Sequence, residues 1–199
     1  MFNDKYGLTQ AVLEGRKTMT RRILKAPRTM EGKDVYGLAV VKYPRTNQPI
    51  EVMALDADGA QIGNIIPKYK VGEVVAVAQS YEKIGLSFIQ PPDKQWGVTR
   101  EMPGYHNKMY VRADLMPHQI RITNVRVERL QDISDQDCIR EGIVKAFGLY
   151  GCEGLCERGY QLYFNTPRTA FASLIDKISG KGTWDSDPYV FVYEFELVK

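Results

Sequence analysis

Lys17, Thr20 and Glu141 are of types that together carry out acyl-transfer chemistry. Lys17 and Thr20 lie in Gly15-Arg16-Lys17-Thr18-Met19-Thr20-Arg21-Arg22, and Glu141 closes the segment Ser134–Gly142. A threonine hydroxyl is a weak nucleophile and needs a base beside it. A neutral lysine amine serves, but at an ordinary pKa of about 10.4 only about one in 2,500 is unprotonated at pH 7. Bringing the pKa to about 7 takes a shift of ~3 units, worth ~4 kcal/mol. Arg16, Arg21 and Arg22 push that way as like charges, and Glu141 opposes them. If the shift fails, Lys17 remains a cation that steadies an oxyanion. The residues leave both roles open.

These side chains must be brought together by the elements around them. Leu8, Ala11 and Val12 form a helical stripe, and Gly15 stands where a left-handed residue ends the helix. Lys17 and Thr20 are three apart: on a strand they face opposite ways, whereas in a turn they converge. Ser134-Asp-Gln-Asp137 is a capping signal that opens a second helix, expected to stop at Gly142 with Cys138, Ile139 and Ile143 toward the core. If that helix instead ran through Phe147, Glu141 would sit about 200° from Ile139 and point to solvent. As the last-turn residue of a shorter helix, Glu141 meets the negative end of the helix dipole, which costs roughly 0.3–1 kcal/mol and hints at function.

Elsewhere, Val35–Lys42 and Pro49–Leu55 read as strands, followed by a turn at Asp56-Ala57-Asp58-Gly59. Val74–Ala78 is a continuous apolar run that suits a strand buried on both faces. Residues 84–106 read as a long loop carrying Trp96 and Tyr105, and Met109–Leu115 as a strand. In Ile120–Leu130 the apolar parity switches at Thr123-Asn124, which predicts a bulge. Residues 148–165 look loop-like. Thr166-Pro167 opens a helix with Ala170, Phe171, Leu174, Ile175 and Ile178 on one stripe, and Tyr189–Val198 is a closing strand. Many strands, few helices and no strand–helix alternation point to an α+β fold: a small bent β-barrel with flanking helices and an inserted hairpin.

The chain has 199 residues and a net charge of +3, ordinary for one soluble domain and too small to mark a nucleic-acid binder. The first thirty residues, however, hold Lys5, Arg16, Lys17, Arg21, Arg22, Lys25 and Arg28 against Asp4 and Glu14. A local basic patch on a near-neutral chain suggests a specific anionic or polar partner. Three cysteines, Cys138, Cys152 and Cys156, imply no disulfide framework, and with His106 and His118 remote they make no zinc set. No metal or cofactor is expected. The N-terminus lacks the pattern of a signal peptide and no apolar run reaches membrane length, so a cytoplasmic protein is expected.

Together these pieces resemble the ASCH family, a branch of the PUA-like folds. The resemblance is carried by Gly15–Arg22 after a short helix, Tyr69-Lys-Val-Gly-Glu73 opening a strand, and Met116-Pro117 before Ile120–Val127. Ser134–Gly142 and Trp184-Asp-Ser-Asp-Pro-Tyr-Val-Phe-Val-Tyr-Glu-Phe-Glu196 complete it. It covers a single domain over 1–199, apart from insertions near 28–65, 84–107 and 147–166, and is closest in kind to the larger members of bacteria and their phages. The resemblance implies a PUA-like β-barrel with a cleft beside the basic motif and a role touching RNA or nucleosides. Some small members are amidohydrolases that deacylate acetylated cytidine with a lysine, a threonine and a glutamate, which fall on Lys17, Thr20 and Glu141.

Three functions follow from this. In one, the chain binds RNA or a modified nucleoside, with Arg16, Arg21, Arg22 and Arg28 on phosphates and Trp96 or Tyr105 stacking on bases. In the second, it is an amidohydrolase using Lys17, Thr20 and Glu141. In the third, it is a phage or host interaction protein without catalysis.

Overall fold

The strongest strand signal, Tyr189–Val198, occupies the middle of the fold because both of its faces are apolar. Val190 and Val192 point to one side; Phe191, Tyr193 and Phe195 point to the other, and all five are buried. The computed structural model describes residues 2–42, 49–85 and 100–198. Its first half runs α1 (Leu8–Leu13), β1 (Met19–Ile23), β2 (Thr29–Met30), β3 (Lys33–Asp34), β4 (Gly37–Lys42), β5 (Pro49–Leu55), β6 (Gln61–Ile65) and β7 (Val74–Ala76). The second half runs β8 (Gln119–Arg129), α2 (Asp135–Arg140), β9 (Val144–Ala146), β10 (Leu149–Gly151), β11 (Cys156–Glu157), β12 (Tyr160–Gln161), α3 (Pro167–Ser179) and β13 (Tyr189–Val198).

The result is a mixed α+β fold built on a curled, antiparallel half-barrel sheet in the order β1-β13-β8-β7. A second sheet, β4-β5-β6, lies against it: Val52 is buried with Val77, Ile120, Ile122, Phe191 and Phe195. The opposite face of β13 packs on the helices, where Val190 and Val192 join Met19, Leu130, Cys138, Phe171 and Leu174. The expected bulge falls at Thr123, which is skipped as Glu194 pairs with Asn124 and Phe195 with Ile122. The extra residue resets the parity, so that Ile120, Ile122 and Val127 all reach the same core. Ser134 caps α2 by accepting the Asp137 N–H at 3.1 Å, and Thr166 caps α3 by accepting the Thr169 N–H at 3.2 Å.

Four expectations are corrected. β7 is not buried on both faces; it is an edge strand, and Val74 is 46% exposed. Met109–Leu115 forms no strand; it holds two 3-10 turns, the first started by Asn107, whose side chain accepts the Met109 N–H at 3.0 Å. Residues 148–165 are not merely loop, since β9–β10 and β11–β12 are short hairpins. Ile139 turns outward, 45% exposed, while Cys138 and Ile143 are fully buried, because α2 ends too early to place three residues on one inward stripe. The centre of the expected 84–106 loop, with Trp96, lies outside the described residues. No described helix is long and apolar enough to cross a membrane.

Candidate active site

Two chain reversals create the site. After α1, Gly15 adopts φ +72° and turns the chain back. The Lys17 N–H then donates to the Ala11 carbonyl at 2.9 Å and the Thr18 N–H to the Arg140 carbonyl at 3.0 Å. The segment before β1 is thereby stitched between the ends of α1 and α2. At the second reversal Glu141 ends α2, its N–H donating to the Asp137 carbonyl at 2.8 Å, and Gly142 follows at φ +110°. A Cβ on Gly142 would lie 2.9 Å from a Leu8 methyl and 3.7 Å from the Lys17 stem. Glycine is needed here both for its backbone angle and for the approach of α1.

Residues 17 and 141 meet in this junction. The Lys17 side chain is 1% exposed; its Nζ donates to Glu141 Oε2 at 2.6 Å and to the Glu141 carbonyl at 2.7 Å. It also stands 5.8 Å from the centroid of the Phe2 ring. Burial pushes the Lys17 pKa down, Glu141 pulls it back through charge and hydrogen bonding, and Arg22 and Arg21 push down again, leaving it below the ordinary lysine value.

Arg21 fixes the other oxygen of the same carboxylate. Its Nη1 donates to Glu141 Oε1 at 3.3 Å, while Nη2 reaches Glu128 at 2.5 Å and Asp137 at 3.2 Å. The network continues outward. Arg126 joins Glu128, Asp137 and Glu194, and Arg140 joins Asp137, Glu194 and the Thr18 hydroxyl. Asp137 thus supplies its N–H to the Ser134 cap but its carboxylate to three arginines, so the sequence capping signal is only half used as a cap. A buried charge stripped of its partner costs about 3–5 kcal/mol, which makes this network a stiff mount for Glu141.

Lys17, Thr20 and Glu141 line one cleft of about 630 Å³. Lys17 lies two residues before β1, outside its pleat, so strand alternation does not separate it from Thr20. In the sheet register Thr20 pairs with Tyr193 and Arg21 with Val192, placing the two on opposite faces. The cleft nevertheless receives both, because β1 is at the sheet edge and the opening runs along that edge. Thr20 is half-buried on the cleft lining. One wall of the cleft is the apolar side of α3, with Phe171, Leu174 and Ile178; the other carries Phe2, Asp4, Lys108 and Met109.

The residues assigned to nucleic acid fare differently. Arg21 is not a phosphate ligand in this arrangement, since it is buried and bound by three carboxylates. Tyr105 offers no ring for stacking: it is 6% exposed in a small core with Tyr81 and Met116. Arg16 is exposed but paired with Glu14 at 2.5 Å. Arg28 is exposed and away from the cleft lining, Arg22 is exposed on it, and Trp96 lies outside the described residues.

Sequence reasoning missed Lys108, Phe2 and the arginine–carboxylate mount. Lys108 donates to Asp4 Oδ1 at 2.5 Å, to Thr9 at 3.0 Å and to the Phe2 carbonyl, clamping the N-terminal segment over the cleft. No local pattern marks it. The mount did leave a signal: Arg126, Glu128 and Glu194 put charge at positions of β8 and β13 that share a face with buried Val190 and Val192.

The fold and site define a mixed α+β protein with a curled half-barrel sheet and a cleft at one sheet edge holding a buried lysine–glutamate pair. No protein-family model matches the chain, and neither a curated protein nor a solved structure matches it.

Proposed function

We propose that the chain is an ASCH-family protein with a PUA-like barrel, and that it is an amidohydrolase removing the acyl group from acylated, cytidine-like nucleosides. The observation that carries this is the buried Lys17 amine, 2.6 Å from Glu141, on the wall of a cleft that Thr20 also lines. The curled sheet and the order of the motifs support the family reading. The depressed Lys17 pKa supports the role of base over that of permanent cation.

In this reading the apolar side of α3 receives the base and acyl chain. Neutral Lys17 Nζ takes the Thr20 proton as Oγ attacks the acyl carbon, and the carbonyl electrons move to oxygen. Arg22, whose charge is felt at Lys17, faces that oxyanion. When the intermediate collapses the C–N bond breaks, Lys17 returns the proton to the leaving exocyclic amine, and Thr20 holds the acyl group as an ester. Water, deprotonated by Lys17, then attacks the ester, releasing a carboxylic acid and restoring Thr20. Glu141 holds the amine in place throughout, and Arg21 holds Glu141.

Incubation with N4-acylcytidine tests the reading, following release of cytidine. Thr20→Ala is the cleanest variant, because Thr20 is a half-buried residue of the cleft lining and not part of the buried core. It is expected to lower kcat/KM by about 100-fold or more, with Thr20→Ser partly active. Wild type and Thr20→Ala equally inert would end the proposal for this substrate class.

A further inference from the structure

The end of β1 also borders a second depression, which the deacylase reading does not use. Its walls include Leu24, Ile65, Ile66, Tyr69, Phe191 and Tyr193, around a volume of about 420 Å³. That size and that mixture of apolar wall with an aromatic hydroxyl are those of a small-molecule subsite. The groove adjoins the cleft, because Arg22, Ile23 and Lys25 line both. Ile66 is 77% exposed, an aliphatic side chain left in water on the groove wall.

The backbone of that wall is held in place. Pro67 fixes its own φ and keeps Ile66 extended before it. The Lys68 N–H then donates to the Tyr193 hydroxyl at 3.0 Å, which ties the segment after β6 to the middle of β13. Tyr69 packs edge-on against Tyr193, with ring centroids 5.5 Å apart, and stays half-buried. Further on, the Gly72 N–H donates to the Ile122 carbonyl at 2.8 Å and anchors the far end of the segment on β8.

Tyr193 gives the groove its polarity. The residue is 2% exposed and lines the groove. Burial raises its pKa, the backbone N–H groups of Lys68 and Tyr69 pull the other way, and the value stays above that of an ordinary tyrosine, so the phenol keeps its proton. An oxygen that accepts from the backbone still has its own hydrogen to donate. A flat, largely apolar ligand with a carbonyl on its edge matches a donor set among aliphatic and aromatic walls.

We propose that the groove is a second base subsite: a nucleotide strand places one nucleoside in the cleft and the pyrimidine base of the adjoining nucleotide in the groove, against Ile66 and Tyr69, with a ring carbonyl accepting from the Tyr193 hydroxyl. This rests on the reading of the cleft as a nucleoside site. The occupant follows from the continuity of the two openings, since a base carried by the same strand reaches the groove without a second binding event.

The test is binding, so it does not depend on turnover. A uridine–cytidine–uridine trinucleotide is titrated against the same strand with both uracils removed, which keeps every phosphate and isolates the flanking bases. The natural strand is expected to bind about tenfold more tightly. Ile66→Asp is expected to abolish that preference, and Tyr193→Phe to reduce it about threefold, the loss of one hydrogen bond. Neither variant is expected to change the affinity for the abasic strand, and thermal melts report that both are folded. Replacing the uracils by difluorotoluene, which keeps the shape and weakens the acceptors, is expected to cost wild type as much as Tyr193→Phe does and to cost Tyr193→Phe nothing more. Equal losses from the isostere in wild type and Tyr193→Phe, or a preference that survives Ile66→Asp, overturn the proposal. Binding of the abasic strand with no gain from uracil overturns the subsite alone. No binding of either strand overturns it together with the reading of the cleft.

Discussion

At the scale of the residue, the site turns on the contact between a buried amine and a buried carboxylate, Lys17 Nζ and Glu141 Oε2 at 2.6 Å. Glu141→Gln keeps the shape and an acceptor for Lys17 but removes the charge that both Lys17 and Arg21 face. Breaking a buried pair from one side costs about 3–5 kcal/mol unless the stranded group changes its protonation. Lys17 does so, because with Glu141 neutralised its folded pKa falls further below the unfolded value of 10.5. Between those two values the unfolded chain binds more protons, so stability rises with pH through that window. The deficit of Glu141→Gln against wild type is therefore expected to be larger at pH 6 than at pH 9, read from urea midpoints. A deficit equal at both pH values would mean that Lys17 and Glu141 are not coupled. If the proposed deacylation is the activity, the same depressed pKa predicts that its kcat/KM rises with pH as Lys17 loses its proton.

At the scale of the element, one wall of the cleft is an N-terminal segment whose Asp4 carboxylate accepts from Lys108, Lys83 and Thr9. Burial alone would raise the Asp4 pKa, but hydrogen bonds from Lys108, Thr9 and Lys83 outweigh it and lower the value to about 2. A carboxylate depressed from 3.8 to about 2 stabilises the fold above pH 4, and that contribution is lost as pH falls toward 2. Because Asp4 is about a third exposed, solvent screening reduces it to ~1–2 kcal/mol. Asp4→Asn is expected to lose that amount at pH 7 and almost nothing at pH 2, measured by denaturation at the two pH values; a loss independent of pH would assign Asp4 a purely steric role. This clamp was illegible in the sequence because it joins residues 104 apart through a loop with no periodic signal. What was legible was local. The parity switch in β8, the two helix caps and the glycines after α1 and α2 each depend on a few neighbours. The strand expected at Met109–Leu115 failed for the opposite reason: strand-like composition needs a partner strand, and that segment meets none among the described residues. β7 had the right element and the wrong burial, since an edge position is set by sheet order and not by its own residues. Lys17 and Glu141, 124 apart, stood out only by residue type and by placement after helix-ending turns.

At the scale of the whole molecule, the question is whether the β4–β6 sheet, in a region that reads as an insertion, is an appendage or part of the body. Val52 is buried in the core beneath β13 and β8, and Leu38, Val40 and Ile65 pack against the same core. At the lower end of full side-chain burial, about 1.5 kcal/mol for Val52 and about half that for each of the three half-buried residues, these four contribute about 4 kcal/mol. A typical domain has a net stability of only about 5–15 kcal/mol, so their loss is of the same order as the whole. Removal would also uncover Phe191, Phe195 and Ile120 in the core that Val52 shares with β13 and β8, adding exposed apolar surface. Replacing residues 37–65 by a short flexible linker is therefore expected to abolish the cooperative thermal transition or make the protein insoluble. Val52→Ala, a milder cut at the same interface, is expected to cost about 2–3 kcal/mol by denaturant unfolding while leaving the transition two-state. A linker variant that melts cooperatively near the wild-type temperature would show that the half-barrel sheet stands alone and that the second sheet merely rests on it.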